Sequence, residues 1–193
     1  MDDFNLMEKL KRSRTKSPTD KLKEILAKLY GYDICKERME IIRELSEFLK
    51  LPPSLIVKLL PLGTHLSADE WKAKMKDHIE EPRPFYSSSR YYLLDLCYGN
   101  YWHTSSYVGM VLIAKNSKGR ILDYGGGVGS QLIIAWKAGF KDLTYYDVGG
   151  IMFDFAKFRF ERRNIRVNMI EASDSEDRLE GTYDTIYCRE VLE

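Results

Sequence analysis

The sequence predicts an α/β protein in which a helical N-terminal part precedes a parallel sheet. Apolar residues recur at helical spacing through residues 21–60, and short apolar runs alternate with helical patterns after residue 120. Such alternation of strands and helices is typical of parallel sheets built from strand–helix–strand units. We therefore predict a helical domain over residues 1–84 and a sheet domain over residues 85–193.

The helical domain is predicted from apolar spacing and from the residues that interrupt it. Gly31 and the Pro52-Pro53 pair end two of the patterns, and the stretch Glu81–Pro84 (Glu-Pro-Arg-Pro) is typical of a linker. The predicted helices are Lys21–Tyr30, Lys36–Lys50, Ser54–Leu60 and a polar helix that begins at Ser67.

A basic run lies between Lys9 and Lys16 and is the feature that favours a nucleic-acid partner. Such a run is more often a solvated arm, and the net charge of the chain is only +1. Composition therefore gives no global electrostatic attraction to a polyanion. We expect a small-molecule substrate rather than a nucleic acid.

The segment Phe85–Lys115 is rich in aromatic residues and joins the two predicted domains. Its later part, Tyr107–Ala114, is predicted to be a helix that packs on the sheet. Most of the aromatic rings are expected to fill the junction between domains. Tyr101, Trp102 and His103 are the candidates for a direct role, because large rings and polar groups are concentrated there.

Residues 120–170 predict three strands separated by two helices. The first strand begins near Arg120 and runs into a turn with four glycines between Gly125 and Gly129, while the second is Leu143–Asp147. An aromatic helix over Gly149–Arg163 and a third strand at Val167–Ile170 follow. With a fourth strand near residue 185, the predicted strand order is 3-2-1-4.

The glycine turn and two acids together predict a nucleoside pocket. Bare glycine backbone admits a ligand where a Cβ would clash, and the following helix directs its first N–H groups at the ligand. Asp147, at the end of the neighbouring strand, is placed to accept hydrogen bonds from two ribose hydroxyls. The dinucleotide spacing G-x-G-x-x-G fits poorly, because its sixth position holds Ser130 or Leu132, and no lysine follows as a phosphate loop requires.

Asp123, Gly125, Gly127 and Gly129 instead follow the spacing D-x-G-x-G-x-G. This pattern resembles motif I of the class I S-adenosylmethionine-dependent methyltransferases, and Asp147 falls where that family keeps its ribose-binding acid. The stretch Tyr183–Glu193 resembles the family's fourth-strand segment, which often closes in a VLEH-like sequence. The resemblance covers about residues 120–193 and implies a Rossmann-like sheet that binds S-adenosylmethionine.

The resemblance implies a set of cofactor-binding residues at the carboxyl edge of the sheet. In the family an acid after the third strand accepts a hydrogen bond from the adenine amino group. Here Ala172 has the nearest spacing and Asp174 lies two residues late, so an ordinary loop carboxylate at Asp174 remains an alternative. The predicted cofactor residues are Asp123, Gly125, Gly126, Gly127, Gly129, Asp147, Val148, Ala172, Ser173, Asp174 and Cys188.

The catalytic candidates are Glu190, His103 and Tyr101. Methyl transfer requires a general base only when the acceptor arrives protonated. For Glu190 the alternative is a helix cap, and for His103 it is a structural hydrogen bond. The Asp/Asn-Pro-Pro-aromatic motif of enzymes that methylate exocyclic amines is missing, because Cys188-Arg189-Glu190 stands at that strand end. We therefore expect in-line O-, N-, S- or C-methylation of a small molecule.

The resemblance also implies a sheet that is cut short. The family's sheet has seven strands, whereas this sequence supplies four before Glu193, so strands 5–7 are expected to be missing. Either the chain is a fragment, or a homo-oligomer or a partner segment completes the sheet. Three other functions remain open: a non-catalytic S-adenosylmethionine-binding or regulatory subunit, an aminocarboxypropyl transferase, and a nucleic-acid methyltransferase.

Composition restricts location and metal chemistry. Cys35, Cys97 and Cys188 are widely spaced and odd in number, which predicts neither a metal cluster nor a disulfide framework and favours the cytoplasm. No apolar stretch approaches the roughly 18–20 residues that span a bilayer. The segment Met1–Phe4 is acidic and polar, unlike a secretory signal.

Overall fold

The computed structural model describes residues 33–75, 82–172 and 179–189. Six helices precede the first strand in these ranges. The predicted helix Lys21–Tyr30 and the basic run Lys9–Lys16 lie outside them. The helices are α1 (Ile34–Leu49), α2 (Pro53–Leu59), α3 (Gly63–Met75), α4 (Arg83–Ser88), α5 (Arg90–Trp102) and α6 (Thr104–Asn116), with a 3₁₀ turn at Leu60–Leu62.

Helix α1 confirms the prediction for Lys36–Lys50 to within two residues. It begins earlier because the Asp33 side chain accepts hydrogen bonds from the N–H groups of Cys35 and Lys36, at 2.9 and 3.1 Å. It ends at Lys50, which adopts the left-handed conformation at φ 55°. Its apolar face, with Ile41 and Leu45 fully buried, contributes to the core.

Two helix starts differ from the sequence prediction. Helix α3 begins at Gly63, four residues before the predicted start at Ser67, because it continues directly from the 3₁₀ turn. A Cβ at Gly63 would lie 2.7 Å from the backbone nitrogen of Asp95, so the glycine allows α3 to approach α5 closely. The predicted linker Glu81–Pro84 instead supplies the cap Pro82 and the first residues of α4, because proline suits a first helical turn.

The described residues then form a parallel sheet of four strands, whose order 3-2-1-4 confirms the prediction. The elements are β1 (Ile121–Tyr124), α7 (Ser130–Lys137), β2 (Leu143–Val148), α8 (Ile151–Arg162), β3 (Asn168–Ala172) and β4 (Thr185–Cys188). Asp123 on β1 is aligned with Tyr145 on β2 and with Tyr187 on β4. Helix α8 begins two residues later than predicted, because Gly150 has φ 90° and cannot be helical.

The helices and the sheet share one continuous hydrophobic core, which extends from Ile34 on α1 to Tyr187 on β4. Helix α1 packs on α8, where the rings of Phe48 and Phe155 lie 5.0 Å apart. Helix α4 lies on the turn between β2 and α8, where a Cβ at Gly150 would stand 2.1 Å from the carbonyl oxygen of Ser87. This packing places α4 and α5 beside the carboxyl edge of the sheet. The division into domains at residue 84 stays a prediction.

The described ranges contain no helix that is both long enough and apolar enough to cross a membrane. Within the same ranges no three His, Cys, Asp or Glu side chains form a group that could hold a metal ion. The three cysteines are free thiols, and Cys97 is buried.

Candidate cofactor site

The candidate site is built on the turn between β1 and α7. Gly125, Gly127 and Gly129 all have positive φ, at 69°, 52° and 70°, a conformation that glycine adopts at little cost. Gly126 has no such φ, but a Cβ there would lie 2.6 Å from the ring of Tyr145. Backbone conformation and close packing therefore each require glycine in this turn.

Hydrogen bonds fix the turn against β2. The N–H of Gly125 donates to the carbonyl oxygen of Tyr146 at 2.8 Å, and the N–H of Gly127 donates to Asp147 Oδ2 at 2.5 Å. The Tyr145 hydroxyl donates to the carbonyl oxygen of Gly127 at 2.6 Å. The second strand thus supplies both the support of the turn and the acid beside it.

A cavity of about 410 Å³ opens at this edge of the sheet. Its floor is the glycine turn with Asp123 and Asp147, and Arg189 lies at its rim just after β4. The opposite wall comes from α4 and α5, including Tyr86, Tyr92, Leu96 and Asn100. Small-molecule sites in proteins span about 300–1,000 Å³, so the cavity has the size of such a site.

Asp123 is a buried carboxyl group with an unsatisfied oxygen. Its Oδ2 has no hydrogen-bond partner among the described residues, and the side chain is 5% exposed. Burial, and secondarily the nearby Asp147, raises the pKa of Asp123 to about 7, while Arg189 acts in the opposite direction. A ligand that brings a positive charge or a hydrogen-bond donor to Oδ2 would satisfy this oxygen and stabilise the ionised carboxylate.

Asp147 differs from Asp123 in that its carboxylate accepts hydrogen bonds from the backbone. Burial raises the pKa of its carboxyl group, although hydrogen bonds from the N–H groups of Gly127 and Val148 stabilise the charged form and limit the rise. Together the two acids and Arg189 give the cavity a formal charge of −1 when all three are ionised. The site is thus suited to a ligand with a net positive charge.

Residues 107–193 match a protein-family model described as "Methyltransferase domain". This segment is therefore similar to class I methyltransferase domains, and the sheet order 3-2-1-4 agrees with the Rossmann-like fold of that family. Searches of curated proteins and of solved structures gave no match. The similarity implies S-adenosylmethionine as the cofactor in general. The match begins inside α6, so α1–α5 lie outside it.

The residues that line the cavity fit this cofactor. S-adenosylmethionine carries a sulfonium and an ammonium group, for which the unsatisfied oxygen of Asp123 is a suitable partner. It carries no phosphate, which agrees with a turn that lacks a lysine. The bare turn at Gly125–Gly127 provides the close backbone approach that a nucleoside requires.

The structure brings six of the predicted cofactor residues to the cavity: Asp123, Gly125, Gly126, Gly127, Asp147 and Val148. Gly129 lies behind the turn, where a Cβ would stand 2.6 Å from the ring of Phe160. Ala172 ends β3 and Cys188 ends β4, and neither is among the lining residues. Ser173 and Asp174 lie outside the described residues, so an adenine-binding role for Asp174 stays a prediction.

Of the catalytic candidates, Tyr101 and His103 belong to the described residues, and neither is among the residues that line the cavity. Tyr101 is fully buried, and its hydroxyl accepts a hydrogen bond from Arg159 Nη2 at 2.7 Å, which corrects its predicted position at the site. His103 is exposed between α5 and α6, with its ring 5.5 Å from that of Tyr98. Glu190 lies outside the described residues, and its role stays a prediction.

Several residues that line the cavity are not among those predicted from the sequence. Tyr92, Leu96 and Asn100 line the cavity from α5, and their spacing of four residues places them on one helix face. This spacing is the pattern in the sequence that could identify the three residues as a group. Arg189 and Gln131 also line the cavity, but neither has a pattern of its own in the sequence.

Proposed function

We propose that this protein transfers a methyl group from S-adenosylmethionine to a small molecule bound in the same cavity. One observation carries the proposal: Asp123, with its unsatisfied buried oxygen, and Asp147 border a bare glycine turn in a single cavity. The methyltransferase-domain match supports the cofactor and the general reaction class. The choice of a small acceptor rests on the size and lining of the cavity.

Within this proposal each charged residue has a binding role. Asp147 accepts hydrogen bonds from the ribose hydroxyls, and Asp123 faces the positively charged end of the cofactor. Arg189, at the rim beyond β4, is suited to a carboxylate. When bound, S-adenosylmethionine supplies a methyl group already activated by its positive sulfur. The protein's own task is to bind and align the two ligands and to exclude water.

The wall opposite the glycine turn favours an acceptor with an apolar or aromatic body. Tyr86 and Tyr92 line it with ring centroids 5.1 Å apart, and Leu96 and Met110 add aliphatic surface. Tyrosine faces also attract cations, which suits them to a site that holds a sulfonium. A folded macromolecule would not fit a cavity of about 410 Å³, whereas a small molecule or one projecting group would.

Calorimetric titration of the wild type and Asp147→Ala with S-adenosylhomocysteine, S-adenosylmethionine and NAD tests the cofactor assignment. Loss of two ribose hydrogen bonds is expected to weaken binding of the adenosyl ligands by about 10- to 100-fold. Asp142→Ala is the matched control, because Asp142 is an exposed acid before β2. Preferential binding of NAD, or equal binding by Asp147→Ala and wild type, would contradict the assignment.

Turnover with a labelled methyl donor tests the activity separately. Release of S-adenosylhomocysteine together with a labelled small product is the expected result. Cofactor binding with no transfer to any acceptor would favour the non-catalytic binding subunit. Label recovered in an aminocarboxypropyl product or in nucleic acid would favour one of the other two alternatives.

A further inference from the structure

Arg159 on α8 lies wholly inside the protein, behind the glycine turn. It is fully buried and donates four hydrogen bonds to three different parts of the chain. Its Nε donates to Glu44 Oε2 on α1 at 2.9 Å, and its Nη2 donates to the Tyr101 hydroxyl on α5 at 2.7 Å. Its Nη1 donates to the carbonyl oxygen of Val128 in the turn and to Ser130 Oγ.

A buried guanidinium group is costly unless its donors are paired. Here the pairing joins α1 and α5 to the turn through a single side chain. Glu44 is also fully buried, and its second oxygen accepts from Arg163 Nε. The rings of Tyr101 and Phe155 each lie 5.6 Å from the guanidinium carbon. Hydrogen bonds and ring contacts together therefore restrain the position of the Arg159 guanidinium group.

Arg159 shares the binding of the turn's carbonyl groups with Tyr145. The carbonyl oxygens of Gly127 and Val128 are bound from behind by the Tyr145 hydroxyl and by Arg159. The N–H of Gly129 donates to the carbonyl oxygen of Gly126 at 2.9 Å. These three carbonyl oxygens of the turn are therefore already paired with donors of the protein itself.

We propose that Arg159 is a positioning residue, through which α1 and α5 set the geometry of the glycine turn for cofactor binding. The inference rests on the proposed function and extends it to Glu44, which lies outside the segment that matches the methyltransferase domain. Ser130 Oγ also accepts from Asn100 Nδ2 at 3.3 Å, so the same group reaches a residue that lines the cavity. The helical part of the protein is thus a component of the cofactor site.

The surface ion pair of Arg162 provides a matched control. Arg162 is also on α8 and also binds α1, through Glu47 at 2.8 and 3.0 Å and Glu40 at 2.9 Å. Its hydrogen bonds among the described residues go to these two acids and not to the glycine turn. If Arg159 acts only by holding α1 against α8, the two arginines should behave alike.

The test compares the double variant Glu44→Leu/Arg159→Met with Arg162→Met and with the wild type. The double variant removes both buried charges together, and Arg163, which loses Glu44, keeps its ion pair with Glu37 at 2.9 Å. No charge of this buried group is then left without a partner, which favours folding. Calorimetry with S-adenosylhomocysteine is expected to show about tenfold weaker binding for the double variant. Hydrogen exchange on the ligand-free protein is expected to be faster over residues 125–131. Arg162→Met is expected to match the wild type in both measurements.

Unchanged affinity and exchange in the folded double variant would overturn the inference, as would an equal effect of Arg162→Met. If the double variant does not fold, Arg159→Lys carries the same expectation, because a lysine amine can pair with Glu44 but cannot reproduce the guanidinium fork. The exchange measurement requires no ligand. A wild type that binds no adenosyl ligand would therefore refute the proposed function, while the exchange result would still decide the role of Arg159.

Discussion

At the scale of single residues, Asp123 joins the stability of the fold to ligand binding. It is buried, one of its oxygens lacks a partner among the described residues, and its pKa is raised to about 7. Free aspartate has a pKa of about 3.9, so the folded protein favours the protonated group. The protonated Asp123 makes its full contribution to the free energy of unfolding below about pH 4, and this contribution is lost as the pH rises through about 7.

Asp123→Asn is therefore expected to stabilise the ligand-free protein at neutral pH. The gain in free energy of unfolding should be about 2–4 kcal/mol near pH 8 and should shrink towards zero near pH 4. Denaturant titrations at several pH values measure it. The same variant should bind S-adenosylmethionine more weakly, with an affinity that no longer rises between about pH 5 and 7. A loss of stability at pH 8 would contradict this account.

At the scale of elements, the glycine turn illustrates why one glycine cannot replace another. Gly129 and Gly139 both have positive φ, at 70° and 109°. A Cβ at Gly129 would meet the ring of Phe160 at 2.6 Å, whereas a Cβ at Gly139 would meet nothing within 4 Å. Backbone strain therefore applies to both positions, and steric conflict to only one.

Gly129→Ala is expected to lower the free energy of unfolding by about 1–3 kcal/mol more than Gly139→Ala does. Both variants share the cost of a positive φ, so the difference isolates the conflict with α8. Thermal unfolding of the two variants in parallel measures it. Equal losses would show that Phe160 moves aside without cost. Cofactor affinity should fall in Gly129→Ala and remain unchanged in Gly139→Ala.

The elements themselves were largely predictable, because their signals are local. Apolar periodicity predicts α1, and an acid near the end of each of two strands predicts the positions of Asp123 and Asp147. Arg159 could not be recognised, because its sequence context is that of an ordinary helix and its partner Glu44 is 115 positions away. The aromatic and polar composition of its segment predicts Tyr101 at the site, but Tyr101 is buried and its hydroxyl binds Arg159, 58 positions away. Partners set by tertiary packing leave no local signal.

At the scale of the whole molecule, buried and half-buried ion pairs join α1 to the sheet part. Glu37 is 4% exposed and pairs with Lys137 and with Arg163, the residue that follows α8. Burial alone would raise the pKa of Glu37, but Arg163 and Lys137 outweigh it and hold the pKa below its usual value. This contribution to stability is present above about pH 4.5 and is lost as the pH falls through the lowered pKa.

Glu37→Gln is expected to lower the free energy of unfolding by about 3 kcal/mol at pH 7, because Lys137 and Arg163 each lose one carboxylate partner near the core. The deficit should shrink below about pH 4, where the wild-type carboxylate is itself protonated. Unfolding midpoints between about pH 3 and 7 measure it. Glu47→Gln is the control, since Glu47 is about half exposed and its loss should cost less than about 1 kcal/mol. Equal losses of unfolding free energy in the two variants would contradict a larger contribution from the buried pairs of Glu37.

The contact between Gly150 and the carbonyl group of Ser87 has a consequence for diversification of the pocket. Backbone meets backbone there, so no side chain can act as a spacer between α4 and the end of β2. A library that keeps Gly150 and varies Tyr86 and Tyr92 would reshape one wall while the frame keeps its dimensions. Such variants would test whether the rings of this wall select the proposed methyl acceptor.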